Sequence, residues 1–136
     1  MTTHLVDTSV LTRLAVPQVR IALQPLINNV ALARCILTDL EIGFSASNAG
    51  EWDRLQSNLA RMQRVDLTPQ VVDRARSLQR ALASAGLKGR KVPDLLIAAS
   101  AELANLVLLH YDEDFELIAS ISGQQHQWVV PRGSVA

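Results

Sequence analysis

The chain has 136 residues and a mass of 14.9 kDa, with 49% hydrophobic and 19% charged residues, which predicts one compact domain over residues 1–136. Thirteen basic residues balance thirteen acidic residues, so a generally basic surface that attracts nucleic acid at long range is excluded. The lone Cys35 excludes an intramolecular disulfide. No segment has the pattern of a signal peptide or a membrane span, and we therefore expect a soluble, cytoplasmic protein.

Short apolar runs with β-branched residues alternate with longer segments of helical period, which is typical of an α/β protein with a central parallel sheet. In the first half, the pattern predicts a strand at 4–6, helices at 9–14 and 19–28, a strand at 34–37, a helix through Phe44 and an amphipathic helix at 51–62. Thr38 and Glu41 fit a capping box at the start of the third helix. Four apolar residues of the 51–62 segment recur at helical spacing and are predicted to be core: Trp52, Leu55, Leu59 and Met62.

In the second half, the pattern predicts a strand at 65–67 and a helix that is capped by Thr68 and ends near Gly86. A basic loop at 86–92 precedes a strongly apolar helix at 93–104, which a strand at 106–109 follows almost at once. A short helix then opens at 112, and an edge strand is expected at 128–130, before Pro131.

Carboxylates fall at the ends of these predicted elements. Asp7 ends the first strand, Glu41 lies in the helix after the second, Asp94 starts the apolar helix and Asp112 follows the most apolar strand. Because the carboxyl ends of parallel strands gather at one edge of a sheet, where α/β proteins bind ligands, these four acids are expected to converge.

A cluster of carboxylates opposes folding unless a cation neutralises it, because like charges raise one another's pKa. Oxygen ligands without cysteine or paired histidine favour Mg²⁺ or Mn²⁺ over zinc. Such a metal lowers the pKa of a bound water and stabilises charge on a phosphodiester.

Each acid also has a simple structural interpretation. Asp7 and Asp112 would serve as helix N-caps, Glu41 as the partner in the capping box, and Asp94 as a first-turn residue that favours the helix dipole.

Several motifs together resemble one known family. They comprise residues 5–11 (LVDTSVL), 40–44 (LEIGF), 93–99 (PDLLIAA), 108–115 (LLHYDEDF) and 128–131 (WVVP). In order, spacing and extent, the chain resembles the PIN-domain ribonucleases, and within them the VapC toxins of toxin–antitoxin pairs. The resemblance implies a PIN-like α/β/α sandwich around a central parallel sheet. It also implies metal-binding acids at Asp7, Glu41, Asp94 and Asp112, a further acid at Asp114 and a supporting hydroxyl at Ser9.

The activity implied by the resemblance is Mg²⁺- or Mn²⁺-dependent endoribonucleolytic hydrolysis. Attack of water at phosphorus with departure of the 3′ oxygen would leave a 5′-phosphate and a 3′-hydroxyl. The resemblance further implies a VapB-type antitoxin, which would place a basic side chain near the acids, and a homodimer.

One position departs from the family pattern, because His110 stands where many relatives have threonine or serine two residues before the aspartate. A strand-end histidine that satisfies local hydrogen bonds is the favoured interpretation, and a contact with phosphate or a role in acid–base chemistry is the alternative. The sequence has no close histidine pair, which argues against cleavage through the RNA 2′-hydroxyl.

Basic residues near the motifs are candidates for binding RNA phosphates. They are Lys88, Arg90 and Lys91 in the basic loop, for which a solvated loop is the equal alternative, and Arg13 near the first motif. With 4% aromatic residues the chain offers few platforms for stacking on bases, so we expect a structured RNA such as transfer RNA as the substrate.

Two other functions remain open on the sequence. A phosphoaspartyl phosphatase would use Asp7 as a nucleophile, but the second aspartate that such enzymes carry two residues later is replaced by Ser9. A non-catalytic, receiver-like binding domain would use the acids for partner binding alone.

Overall fold

The computed structural model describes residues 1–87 and 89–136. Lys88, one of the predicted RNA-binding residues, lies outside the described residues. The described elements, in chain order, are β1 (His4–Val6), α1 (Thr8–Leu11), α2 (Pro17–Asn28), β2 (Leu32–Cys35), α3 (Ile36–Gly43), α4 (Ala49–Leu59), β3 (Gln63–Val65), α5 (Pro69–Ser84), α6 (Val92–Leu103), β4 (Val107–His110), α7 (Glu113–Ser122) and β5 (His126–Trp128).

The five described strands form one sheet in the order β3-β2-β1-β4-β5, and every pair is parallel. From β1 the chain adds β2 and then β3 on one side, and afterwards adds β4 and β5 on the other. The strand order therefore reverses between β1 and β4, and the loops that follow these two strands leave in opposite directions and open a crevice. The predicted central parallel sheet is confirmed.

Helices cover both faces of this sheet, because successive strand residues point to opposite faces. Leu5 and Leu108 pack in one apolar cluster with residues of α5, α6 and α7. Their neighbours Val6 and Leu109 pack in a second cluster with residues of α1 and α2. The α/β/α sandwich is thus confirmed. Within the described ranges, no helix is long and apolar enough to cross a membrane.

The predicted capping box at Thr38 and Glu41 is wrong. The second strand ends at Cys35, two residues earlier than predicted, and α3 begins directly at Ile36. Ile36 and Leu37 pack against the core formed with α5 to α7, so this part of the chain is already helical. Thr38 is consequently a buried residue inside the helix, and Glu41 lies one turn deeper in the helix than the sequence suggested.

Other boundaries differ by a few residues. The third and fifth strands occupy 63–65 and 126–128 rather than 65–67 and 128–130, since their register is set by pairing with β2 and β4. Of the four predicted core residues of α4 and its flank, Leu59 is buried, but Trp52 is 46% exposed. Trp52 lies instead over Gly43, where a Cβ atom would come within 2.6 Å of the indole nitrogen. Glycine at this position therefore permits the close approach of α3 and α4.

Candidate active site

The site lies at the crevice between the carboxyl ends of β1 and β4. The backbone N–H of Asp7 donates to the carbonyl oxygen of Leu109 at 2.9 Å. The backbone N–H of Tyr111 donates to the side-chain oxygen of Ser9, also at 2.9 Å. These bonds fasten the segment after β1 to the segment after β4. Ser9 therefore supports the site through the backbone of the neighbouring segment.

Three of the predicted acids meet in the crevice. Asp94, Asp112 and Asp114 each offer a carboxylate oxygen, and these oxygens lie within 4.8 Å of one another. Asp94 lies in the first turn of α6, Asp112 is the N-cap of α7, and Asp114 lies in the first turn of α7. The N-termini of α6 and α7 therefore bring the three carboxylates together, although Asp94 is distant in sequence from Asp112 and Asp114.

Asp94 is the most unusual member of this group. Its residue surface is 7% exposed, and its buried Oδ2 atom has no hydrogen-bond partner among the described residues. The pKa of Asp94 is raised to about 7, first by burial and then by the negative charges of Asp7 and Asp112, while the charge of Lys91 acts in the opposite direction. A buried carboxylate oxygen without a donor is costly for the protein alone.

Asp7 extends the acidic group towards the end of β1. It is 4% exposed, and burial raises its pKa to about 6. Hydrogen bonds from Ser9 lower the pKa, and the charge of Glu41 raises it. The Asp7 Oδ2 atom accepts from the backbone N–H of Ser9 at 2.9 Å and caps α1. Asp7 therefore caps a helix and adds negative charge to the crevice.

Glu41 lies at the outer edge of the site and is exposed. The Thr8 hydroxyl donates to Glu41 Oε1 at 2.8 Å and lies 3.2 Å from the hydroxyl oxygen of the buried Thr38. Thr8 was not among the predicted site residues, although a hydroxyl between Asp7 and Ser9 at a predicted helix start is a signal for a side-chain contact. Thr8 links α1 to α3 and fixes the position of the Glu41 carboxylate.

The simple structural interpretations of the acids hold for some and not for others. Asp112 caps α7, because its Oδ1 atom accepts from the backbone N–H of Asp114 at 2.9 Å, and Asp7 caps α1 as described. Asp94 does occupy a first turn, which suits the helix dipole. The helix dipole favours the charge of Asp94 but provides no hydrogen-bond donor for its Oδ2 atom. Capping and the helix dipole therefore do not explain why these carboxylates cluster.

Cations from the basic loop approach the acids. Arg90 Nη1 donates to Asp114 Oδ1 at 2.7 Å, and Lys91 Nζ lies 4.0 Å from Asp112 Oδ2. Arg13 lies elsewhere: its guanidinium donates to the carbonyl oxygens of Ser9 and Ala136 and lies 4.7 Å above the Tyr111 ring. Arg13 thus braces the segment after β4, and its role in binding RNA stays a prediction.

The expectation that no histidine pair exists is wrong. His110 Nε2 lies 3.0 Å from His126 Nδ1, and the two rings stack with their centres 5.2 Å apart. His110 is fully buried, and its Nδ1 atom accepts from the backbone N–H of Asp112. Burial lowers the pKa of His110 to about 4, with a smaller effect from His126. Both ring nitrogens are therefore engaged, as the favoured interpretation of local hydrogen bonding expects.

The donor set fits a hard divalent cation. The clustered groups offer carboxylate oxygens only, one of which is buried and unpartnered, and Mg²⁺ and Mn²⁺ prefer such ligands with water or phosphate oxygens beside them. Asp94, Asp112 and Asp114 have the shortest mutual distances, while Asp7 and Glu41 lie outside this closest group.

The raised pKa of Asp94 makes stability depend on pH when no metal is bound. Native Asp94 keeps its proton up to about pH 7, whereas an unfolded aspartate loses it near 3.8, so Asp94 destabilises the fold as the pH rises through this range. We expect Asp94→Asn to be more stable than the wild type in urea unfolding without metal, by roughly 2–4 kcal/mol at pH 8 and by little at pH 4.

His110 acts with the opposite sign, because its lowered pKa makes the fold more stable as the pH rises from about 4 to 6.5. Since His110 is present in both proteins, its contribution cancels when the free energy of unfolding of Asp94→Asn is compared with that of the wild type. Asp53→Asn, which changes an exposed acid of α4, is the matched control and should follow the wild type at every pH. A stability difference for Asp94→Asn that does not grow with pH would contradict the assignment of a strained buried carboxylate.

A family model and the sequences of known proteins both relate this chain to the PIN-domain family. Residues 4–121 match the model of the PIN domain. The chain is 49% identical over 132 residues to a protein named Ribonuclease VapC51 of Mycobacterium tuberculosis, covering 97% of this chain and 96% of the relative. It is 41% identical over 135 residues to Ribonuclease VapC21 of the same species, covering 98% of each.

Solved structures agree in fold. The VapBC-1 structure from nontypeable Haemophilus influenzae matches with a TM-score of 0.77 and 19% identity, covering 94% of this chain and 98% of that chain. The DNA-bound VapBC structure from Salmonella typhimurium matches with a TM-score of 0.76 and 17% identity, covering 96% and 100%. The match of residues 4–121 to the PIN-domain model and the 49% and 41% identity to VapC ribonucleases show that the chain belongs to the PIN-domain family, among the VapC proteins.

Proposed function

We propose that this protein is a divalent-cation-dependent endoribonuclease and the toxin of a toxin–antitoxin pair. The observation that carries the proposal is the buried Asp94 Oδ2 atom, which lies without a donor among clustered carboxylates in a chain whose relatives are named ribonucleases. A cation is the partner that such an oxygen lacks.

The residues that would hold Mg²⁺ or Mn²⁺ are Asp94, Asp112 and Asp114, with Asp7 and Glu41 contributing directly or through water. When bound, the metal would lower the pKa of a water and stabilise negative charge on the phosphate. Glu41 is held by Thr8 at 2.8 Å and is exposed, so its carboxylate can accept a proton from the attacking water.

The reaction is hydrolysis. Water attacks phosphorus, the bond to the 3′ oxygen breaks, and the products carry a 5′-phosphate and a 3′-hydroxyl. His110 is fully buried and bonded at both ring nitrogens, so it is unsuited to exchange protons with the RNA 2′-hydroxyl.

The proposed substrate is a structured RNA such as transfer RNA. The site offers acids to a metal and two basic side chains, Arg90 and Lys91, to phosphates, and only 4% of the residues in the chain are aromatic. Recognition of the RNA through its phosphate backbone and its shape therefore fits this site better than stacking of aromatic side chains on unpaired bases.

The proposed partner is a VapB-type antitoxin. Beside Glu41, the exposed apolar side chains of α3 and its end, Leu40 and Phe44, are 63% and 92% exposed, and Trp52 of α4 lies next to them over Gly43. An apolar surface beside an acidic site suits an amphipathic segment that ends in a basic side chain. The solved structures of similar fold include VapBC of Salmonella typhimurium, VapBC-1 of Haemophilus influenzae and a toxin–antitoxin complex from Klebsiella pneumoniae.

The experiment that tests the activity is end-mapped cleavage of total cellular RNA by the antitoxin-free protein, with Mg²⁺, Mn²⁺ or EDTA. We expect cuts that carry 5′-phosphates, disappear with EDTA and fall at least a hundredfold in Asp94→Asn, because loss of a metal ligand commonly removes most activity. The Asp53→Asn control should cut like the wild type.

RNA that stays intact with either metal, or cuts that persist in EDTA, would refute the proposed activity. Products with 2′,3′-cyclic phosphates would refute the hydrolytic route.

A second prediction concerns the Thr8 hydroxyl. Thr8→Val keeps the shape of the side chain and removes the bond to Glu41, so we expect kcat/KM for RNA to fall roughly tenfold, as for the loss of one hydrogen bond to a charged group. Thr12→Val is the matched control, because the hydroxyl of Thr12, the C-cap of α1, donates to the Ser9 carbonyl and makes no contact with the acids among the described residues. Equal activity of the two variants would show that Thr8 does not position Glu41.

A further inference from the structure

Arg90 differs from the other buried or half-buried arginines of the molecule. Arg34 holds Asp39 with both Nε and Nη2, at 2.7 and 3.2 Å, and donates its Nη1 to the carbonyl of Met62. Arg74 likewise holds both oxygens of Glu102. Such two-point pairs satisfy the guanidinium and fix its orientation.

Arg90 makes a single contact with its acid, from Nη1 to Asp114 Oδ1. Its Nε–H group is buried and finds no acceptor among the described residues. The side chain is 22% exposed, and that of Asp114 is 17% exposed. A buried donor without an acceptor costs free energy, so the guanidinium of Arg90 is only partly satisfied by its contact with Asp114.

The acid that Arg90 contacts is also one of the three whose oxygens lie within 4.8 Å of one another. A divalent cation bound to the three aspartates would place a second positive charge on the carboxylate that Arg90 contacts at 2.7 Å, so the cation and the guanidinium would repel each other and compete for Asp114. Displaced from Asp114, Arg90 would lose its side-chain acceptor. A phosphate group presents several oxygens and satisfies an arginine at two points.

We propose that Arg90 exchanges partners during function: it neutralises Asp114 while the site holds no metal, and it binds a phosphate of the RNA once a metal has taken Asp114. This inference rests on the proposed ribonuclease function. It makes Arg90 an internal counterion in one state and a substrate-positioning residue in the other.

The first half is tested by titrating Mn²⁺ into the protein without RNA, with calorimetry as the readout. We expect Arg90→Gln to bind Mn²⁺ roughly five- to tenfold more tightly than the wild type, because the competing charge is removed. Lys91→Gln removes the same charge from a side chain that is 69% exposed and 4.0 Å from Asp112, so its effect should be smaller. Arg132→Gln, which alters an ion pair with Glu113 outside the acid cluster, should change nothing.

A direct structural readout uses the Arg90 Nε–H resonance in nitrogen-15 NMR. Added Mg²⁺ should shift this signal, and the Arg34 Nε–H signal should stay in place. Equal Mn²⁺ affinities of Arg90→Gln and Lys91→Gln would indicate a general charge effect and overturn direct competition. An Arg90→Gln variant that binds Mn²⁺ no more tightly than the wild type would overturn it as well.

The second half is tested by cleavage kinetics at saturating metal. We expect Arg90→Gln to raise KM for RNA roughly tenfold with little change in kcat, and Arg90→Lys to recover part of this loss because it keeps the charge without two-point geometry. An unchanged KM would overturn the exchange, since Arg90 would then be a counterion only. Failure of the wild type to bind Mn²⁺ or to cut RNA would instead refute the proposed ribonuclease function. The behaviour of the wild type therefore distinguishes failure of the proposed function from failure of the Arg90 exchange.

Discussion

The burial of carboxylates close to one another in a crevice is the constraint on which the rest of this structure depends, because burial and, to a lesser extent, mutual repulsion both disfavour their charged forms. The sheet order places the end of β1 beside the end of β4, and α6 starts at the same crevice, so Asp7, Asp94 and Asp112 approach one another from three parts of the chain. Without a cation, two of these acids hold their protons to pH values near neutrality, at pKa values of about 6 and 7. A fold that maintains this arrangement gives up stability at its site, which is a common property of functional sites.

Much of the surrounding structure holds these acids in place. The Ser9 hydroxyl fastens the segment after β4, Thr8 ties α1 to Glu41, and the bidentate Arg34–Asp39 pair fixes α3 against β2. Gln56 of α4 also donates to the backbone carbonyl of Asp39 at 2.8 Å. Because Asp39 and Glu41 share one helix, a movement of α3 would displace the Glu41 carboxylate. Rigid support of this kind keeps like charges close together in spite of their repulsion.

The sequence was sufficient to predict the central sheet and the general location of the site. A short continuous apolar run such as residues 5–6 indicates a strand buried on both faces, and an acid that follows such a run is expected at the carboxyl ends of the parallel strands. Local patterns failed where tertiary contacts decide. The apparent capping box at Thr38 lies inside α3 because Ile36 and Leu37 pack on the core, and Trp52 packs over Gly43 of α3 and stays partly exposed instead of joining the core. The contacts of Arg90 with Asp114 and of Thr8 with Glu41 join segments that are distant in sequence, so local sequence patterns do not predict them.

If the buried acids hold a divalent cation, as we propose, they must lose the protons that they carry near neutral pH when the cation binds. Counting the protons released when Mg²⁺ binds, by calorimetry in buffers of different ionisation enthalpy, tests it most directly. With pKa values of about 6 and 7 for Asp7 and Asp94, binding should release on the order of one proton at pH 6.5 and close to none at pH 8, and Asp94→Asn should abolish most of the release. Binding of Mg²⁺ without proton release at pH 6.5, or no binding by a folded wild-type protein, would contradict the account.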